Sequence, residues 1–176
     1  MTSPKGCTVW MTGLPGSGKT TIALEVERRL KALGRNVEIL DGDEVRKGLS
    51  SDLGFSKEDR QQHARRVTFV AKVLSRNGVI VLVGLISPFR AFRQYAREEI
   101  GDFLEVYIDT SLEECIHRDP KGLYKKAMAG QIKDLTGLQD PYEAPEHPEL
   151  VIPTEDVSVD QAAEMVVGAI SEHGYL

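Results

Sequence analysis

Gly13-Leu14-Pro15-Gly16-Ser17-Gly18-Lys19-Thr20 has the residue types and spacing of a phosphate-binding loop, G-x-x-x-x-G-K-[ST]. Glycines let the backbone curl so that successive N–H groups converge on one anion. A helix start behind the loop adds unpaired N–H donors and a partial positive charge. Lys19 is placed to reach the β- and γ-phosphates, and the Thr20 hydroxyl to hold Mg²⁺; Thr21 follows in the same turn and is counted with the nucleotide-binding residues. The chemistry implied is phosphoryl transfer from ATP. Such transfer leaves the protein little covalent work, so positioning and charge neutralisation dominate.

A carboxylate beside such a loop can organise the metal or accept a proton from the attacking hydroxyl. Asp41 and Asp43, in Asp41-Gly42-Asp43, are the candidates. The third apolar run, Val79-Ile80-Val81-Leu82-Val83, ends without an acid, which shifts both duties to this pair. Capping of the following helix is an equal reading for Asp41; Asp43 is favoured for chemistry. Arg46 and Arg60 could clamp a second anion on the acceptor. Phe55 is placed to stack on a base or to staple the next helix. Arg118, Lys121 and the basic run to Lys126 could close over phosphates and exclude water. His63, His117, His147 and His173 lack metal-ligand spacing, and only His63 falls near the clamp.

The elements that must position these groups follow from patterning. Cys7–Met11 reads as a strand before the loop, and Ile22, Ala23, Val26, Leu30 and Leu33 mark a helix after it, stopped at Gly34. Asn36–Asp41 alternates as a second strand, and Val79–Val83 is a continuous apolar run typical of a doubly covered parallel strand. Ser56 reads as the N-cap of a helix closed by Asn77-Gly78, and Pro88 as the start of another. Phe103–Asp109 is a fourth strand, Ser111–Glu114 a capping box, Leu150–Ile152 a fifth strand, and Val159 to Ile170 a closing helix. Residues 119–149 hold Pro120, Pro141, Pro145 and Pro148 and read as a mobile lid with a short helix near Leu123 to Ala129. The expectation is one α/β domain over 1–176: a doubly wound, mostly parallel five-stranded sheet with flanking helices, ligands lying at the strands' carboxyl ends.

Composition narrows the partners. A net charge of −5, from 22 basic and 27 acidic residues, argues against duplex nucleic acid, while arginines concentrated in the middle of the chain suggest a small anionic substrate. No apolar run is long enough to span a bilayer, and no signal-like segment precedes the first strand. Cys7 and Cys115 both fall in apolar-patterned elements, as core thiols in a reducing cytoplasm would.

The P-loop together with Leu40–Asp43, Val45–Leu49, Asp52–Phe55, Ile86-Ser87-Pro88, Asp119-Pro120-Lys121-Gly122-Leu123-Tyr124 and Pro141-Tyr142-Glu143-Ala144-Pro145 resembles the adenylyl-sulfate kinases (APS kinases) over nearly the whole chain. The resemblance implies transfer of the γ-phosphate of MgATP to the 3′-hydroxyl of adenosine 5′-phosphosulfate (APS), giving PAPS and ADP in sulfate assimilation. By it, Asp43 would hold or deprotonate the 3′-hydroxyl, Arg46 and Arg60 would grip the phosphosulfate, and Phe55 would stack on the APS adenine. Ile86 and Ser87 would line that pocket, Lys121, Gly122 and Leu123 would form its lid, and Arg118 would lie near the ATP base. Ser87 matches the family's suggested phosphoserine; direct in-line transfer, with the serine as a hydrogen-bond donor, is the preferred chemistry. A homodimer is implied in the same way; a cytoplasmic location is expected from the cysteine pattern, and association with ATP sulfurylase would go with a nucleotide-sensing role. Three positions depart from the family pattern: His63 where an amide is usual, Leu135 where an aromatic would complete a sandwich with Phe55, and Phe92 where an acid is usual. Two other functions stay open from sequence: a P-loop kinase for another small anionic hydroxyl compound, and a catalytically weak nucleotide-sensing module.

Overall fold

The computed structural model describes residues 4–176. Five parallel strands form one sheet in the order β2-β3-β1-β4-β5: β1 is Cys7–Thr12, β2 Val37–Asp41, β3 Ile80–Gly84, β4 Phe103–Asp109 and β5 Leu150–Pro153. This is the expected doubly wound sheet. β1 lies centrally, with chain connections leaving to either side, so the crevice at its carboxyl end is where a ligand is expected.

Side chains alternate across β1. Cys7, Val9 and Met11 join α1 (Lys19–Ala32) and α7 (Val159–Glu172) in one apolar core, while Trp10 joins α3 (Lys57–Ser75) and α4 (Arg90–Ile100) in the other. Both faces are therefore covered, which is why β3 is buried along its whole length. Shorter helices complete the chain: α2 (Gly42–Leu49), α5 (Leu112–Arg118) and α6 (Leu123–Met128).

Most predicted boundaries stand within a residue or two, and the stops have the expected causes. Gly34 and Gly78 adopt φ of 73° and 83° just after helix ends, a conformation open to glycine without penalty. Ser56 caps α3 by accepting from the Asp59 N–H at 3.1 Å. Two details differ. Pro88 precedes α4 instead of starting it, because Phe89 is the N-cap and Pro88 contributes its carbonyl to the Glu143 N–H. Ser111 accepts from the Glu114 N–H, but the Glu114 carboxylate turns to Arg118 instead of closing a capping box; the reciprocal box occurs at Ser158 and Gln161 on α7.

Among the described residues, no helix is long and apolar enough to cross a membrane. Cys7 and Cys115 are free and buried. Burial pushes the Cys7 thiol up to about 12, so it packs as an inert apolar group.

Candidate active site

The P-loop leaves β1 at Thr12 and turns on a Ser17 N–H to Leu14 carbonyl bond of 3.1 Å. Gly18 sits at φ 108° as the N-cap of α1 and offers no side-chain cap, so the first-turn amides are left for a ligand. Glycine is also required at position 13, where a Cβ would stand 2.7 Å from the Ile108 carbonyl oxygen of β4. The Lys19 ammonium is buried and donates to the carbonyls of Gly13 and Leu14, each at 2.8 Å, and to Ser17 Oγ at 3.3 Å. Burial holds its pKa down at about 8.

Asp41 caps the following helix and also meets the P-loop hydroxyl. Its Oδ1 caps α2 by accepting the Asp43 N–H at 3.2 Å, and its Oδ2 accepts the Thr20 hydroxyl at 2.6 Å. In the sheet Asp41 is registered opposite Gly84, the residue that ends β3. The carboxylate missing from β3 is thus supplied one strand over. A hydroxyl and a carboxylate in contact beside an anion cradle are hard oxygen donors of the kind Mg²⁺ takes alongside phosphate and water.

α2 then carries the chemistry away from the P-loop. Asp43 and Arg46 are three residues apart and share a face. Asp43 pairs with Lys121, which reaches over from the lid. Arg46 donates to the Gly54 carbonyl at 2.8 Å and lies over the Phe55 ring, 4.5 Å from its centroid. Burial and then the charge of Arg60 lower the Arg46 pKa, the signature of cations gathered where an anion would be welcome.

Arg60 departs from the expected free grip. Its Nε donates to the Phe55 carbonyl at 2.9 Å, Nη1 to Thr136 Oγ1 at 2.8 Å, and Nη2 to the Asp134 carbonyl and the Asp140 carboxylate. Four of the five N–H groups of this guanidinium are therefore used, three of them tying α3 to the lid and one held by the segment before α3, leaving one for a ligand.

Ser87 adopts φ 45°, which costs a non-glycine residue roughly 1–3 kcal/mol and persists only where the surroundings over-determine it. It is buried, and its Oγ accepts the Trp10 indole N–H at 2.9 Å. The lid is bolted to the P-loop by Tyr124, whose hydroxyl donates to the Pro15 carbonyl at 2.7 Å. Leu135 is buried with Tyr124 and Ala127 of the lid and Cys115 of α5 in one small apolar cluster, so an aromatic introduced there must repack that cluster. Phe92 packs edge-on to Phe89.

These parts share one cavity of about 950 Å³. Its wall includes Pro15 to Ile22, Asp41, Asp43, Arg46, Phe55, Arg60, His63, Ile86, Ser87, Arg118, Lys121, Leu123 and Leu135. Of the residues singled out from sequence for the nucleotide and acceptor sites, Gly13, Leu14 and Gly122 lie outside the wall, as do Lys125 and Lys126 of the lid's basic run. The first two supply the carbonyls that hold Lys19, and Gly122 adopts φ 66° as the N-cap of α6. Arg118, at the cavity wall, rests against the Ser17 carbonyl and Thr154 Oγ1. Sequence reasoning missed the wall from Thr154 to Ala162, which carries no motif and enters only because β5 lies beside β4.

His63 is buried, with Nδ1 sharing a hydrogen with Ser50 Oγ at 2.8 Å. Burial, then the charges of Arg46 and Arg66, lower its pKa to about 4. The unfolded chain takes up this proton near pH 6.5 and the folded chain only near 4, so acid in that window favours unfolding. The difference corresponds to a stability loss on the order of 2–3 kcal/mol across the window. Denaturant titrations from pH 7 to pH 4 are expected to show a shallower decline for His63→Asn; parallel declines would contradict it.

The family model described as adenylylsulphate kinase matches residues 5–153. An adenylyl-sulfate kinase of Synechococcus sp. (strain JA-3-3Ab) is 54% identical over 172 residues, covering 98% of each chain. The APS kinase of Mycobacterium tuberculosis, solved in complex with AMPPNP and APS, superposes with a TM-score of 0.93 at 46% identity, covering 96% of this chain and 99% of that one. A hexameric APS kinase from Thiobacillus denitrificans gives a TM-score of 0.75 at 35% identity, covering 99% of this chain and 30% of that one.

Proposed function

This chain belongs to the adenylylsulphate kinase family, and from that membership we infer an ATP-dependent kinase that phosphorylates the 3′-hydroxyl of APS, yielding PAPS and ADP. The observation that carries the reading is one cavity in which a glycine cradle with Lys19 faces a paired Arg46 and Arg60 wall, with α2 running from one to the other. A kinase for a second anionic nucleotide needs two such seats.

The roles proposed for the residues follow from their chemistry. The P-loop amides and Lys19 bind the triphosphate and offset charge developing on the γ-phosphoryl oxygens. Thr20 and Asp41 would hold Mg²⁺, which when bound neutralises charge on the β- and γ-phosphates. Arg46 and the remaining Arg60 N–H bind the phosphosulfate of APS, and Phe55, exposed on its free face, stacks on the adenine. The 3′-oxygen attacks the γ-phosphorus as its proton passes to the Asp43 carboxylate, and the bond to the β–γ bridging oxygen breaks to release ADP. Lys121 leaves Asp43 for the acceptor's anionic groups, while Gly122 and Leu123 hold the lid against it. Arg118 flanks the ATP base.

Direct transfer is favoured over a phosphoserine. Ser87 Oγ receives an indole N–H and has, among the described residues, no basic partner to take its proton, so it is suited to donate a hydrogen bond within the pocket that Ile86, His63 and Leu135 also line. Residues 1–176 are read as one kinase domain with 119–149 as its lid. Self-association, as a homodimer or as a hexamer like the Thiobacillus denitrificans relative, a cytoplasmic location and coupling to ATP sulfurylase belong to the same reading.

One assay tests it: ADP release from MgATP with and without APS, alongside a sugar acid and a nucleoside monophosphate. APS-dependent turnover is expected, and it is expected to vanish when the divalent cation is chelated. Turnover with another acceptor and none with APS would favour a kinase of different substrate; no turnover with any would favour a nucleotide-sensing module.

A further inference from the structure

Arg93, in the first turn of α4, is 2% exposed, and its guanidinium lies outside the cavity wall. Each arm of its fork ends on a different segment. Nε donates to Glu105 Oε2 of β4 at 2.9 Å, Nη1 to the Ser87 carbonyl at 2.5 Å, and Nη2 to the Glu143 carbonyl at 2.6 Å. Glu143 is itself docked on the same loop: its N–H donates to the Pro88 carbonyl, and its carboxylate accepts the Arg90 N–H. Farther along the lid, Glu149 takes both Arg97 and the Glu105 N–H. The charged cluster therefore joins β4, the loop after β3 and the end of the lid.

The arm on Ser87 bears on function. That residue is held in a left-handed conformation that a serine does not adopt unaided; the Trp10 indole restrains its hydroxyl, and its carbonyl takes Arg93 Nη1 at 2.5 Å with Thr12 Oγ1 a longer second donor at 3.5 Å. Thr12 Oγ1 adds a bond to the preceding carbonyl of Ile86 at 2.6 Å. A lysine, a single point charge on a flexible stem, cannot reproduce three planar, divergent bonds.

We propose that Arg93 is a positioning residue for phosphoryl transfer: by gripping the Ser87 and Glu143 carbonyls together it fixes the strained Ser87 in the acceptor half of the cavity and couples that geometry to the docked lid. The proposal rests on the kinase reading above for its kinetic consequence, but its structural content stands apart from it.

The chain contains a single tryptophan, Trp10, and its indole N–H lies on Ser87 Oγ. One ¹⁵N–¹H indole correlation therefore reports the Ser87 hydroxyl, with Ser87→Ala marking the position of a lost acceptor. Removing Arg93 alone leaves the buried Glu105 only the longer contact to Arg97 at 3.7 Å, so the test uses Arg93→Met together with the doubly neutral Arg93→Met/Glu105→Leu, in which Arg97 keeps Glu149 as its partner. In whichever of these folds, the indole signal is expected to move toward its Ser87→Ala position. With APS as acceptor kcat is expected to fall by about 10- to 100-fold, the scale of an ångström's misplacement. The KM for ATP is expected to stay within about twofold, because the P-loop is untouched. Arg93→Lys keeps a charge beside Glu105 and is expected to restore neither signal nor kcat. A wild-type indole signal in the folded double variant, a fall in kcat with that signal in place, or full recovery by lysine would each overturn the proposal. If the wild type showed no APS-dependent turnover, the functional reading would fail, and the indole signal would still decide whether Arg93 fixes Ser87.

Discussion

Replacing Asp43 by Asn is expected to lower kcat with APS by at least about a hundredfold, roughly 2.7 kcal/mol of transition-state stabilisation, the lower range for losing a general base. Asparagine keeps the shape and the hydrogen-bonding reach and removes the negative charge, and with it the ability to take the proton. The carboxylate stands in the first turn of α2, past the Asp41 cap that meets Thr20 and one turn before Arg46. It is also paired with Lys121, so the variant leaves that lid cation without its partner and free to favour an anionic acceptor. The KM for APS is therefore expected to stay level or fall while kcat drops, the pattern of an interaction made mainly in the transition state. ATP binding should survive, since among the described residues Asp43 bonds to Asp41 and Lys121 and not to the P-loop. Turnover near that of the wild type would remove Asp43 from the mechanism.

Lys19→Met is expected to lower kcat/KM for ATP by about a thousandfold, the upper range for loss of one preorganised electrostatic donor. Methionine preserves stem length and apolar packing, so the loss falls on the charge. The same residue predicts a pH dependence. Burial holds the ammonium at a pKa of about 8, and bound polyphosphate favours its protonated form and raises that value. Above pH 8, then, binding takes up a proton, and ATP affinity falls as pH rises, by up to about tenfold per unit. Calorimetric titrations from pH 7 to pH 9.5 should show a level affinity followed by this decline in the wild type and no such break in Lys19→Met. A wild-type affinity unchanged to pH 9.5 would contradict the assignment of the charge to Lys19.

The residues most legible beforehand were those whose neighbours in sequence are also their neighbours in space. The P-loop is such a case: strand, glycines, lysine and helix are contiguous, and backbone conformations imposed by Gly16 and Gly18 are local properties. Gly34, Ser56 and the buried run of β3 were legible for the same reason. Pro88 shows the limit. Its missing N–H makes it a good first helical residue, but its carbonyl is claimed by Glu143 from the lid, and the helix begins two residues later. The Arg46 and Arg60 pair shows it more strongly. Side-chain type implied two anion-binding guanidiniums, whereas the lid carbonyl of Asp134, Thr136 and Asp140 claim most of the second.

The chain's linear order determined that a triphosphate cradle sits at the end of a central strand, that acids and arginines follow the neighbouring strands, and that a proline-rich lid can cover them. Periodicity and glycine placement are short-range features, and they suffice for that much. Only the three-dimensional arrangement decided that Asp41 meets Thr20 across two strands, that Tyr124 bolts the lid to Pro15, and that Arg93 grips Ser87 and Glu143 from behind the cavity. Those contacts join groups 21 to 109 residues apart, or turn on which way a guanidinium points; strand order and lid docking bring them together, and nothing in the local pattern of residues encodes either.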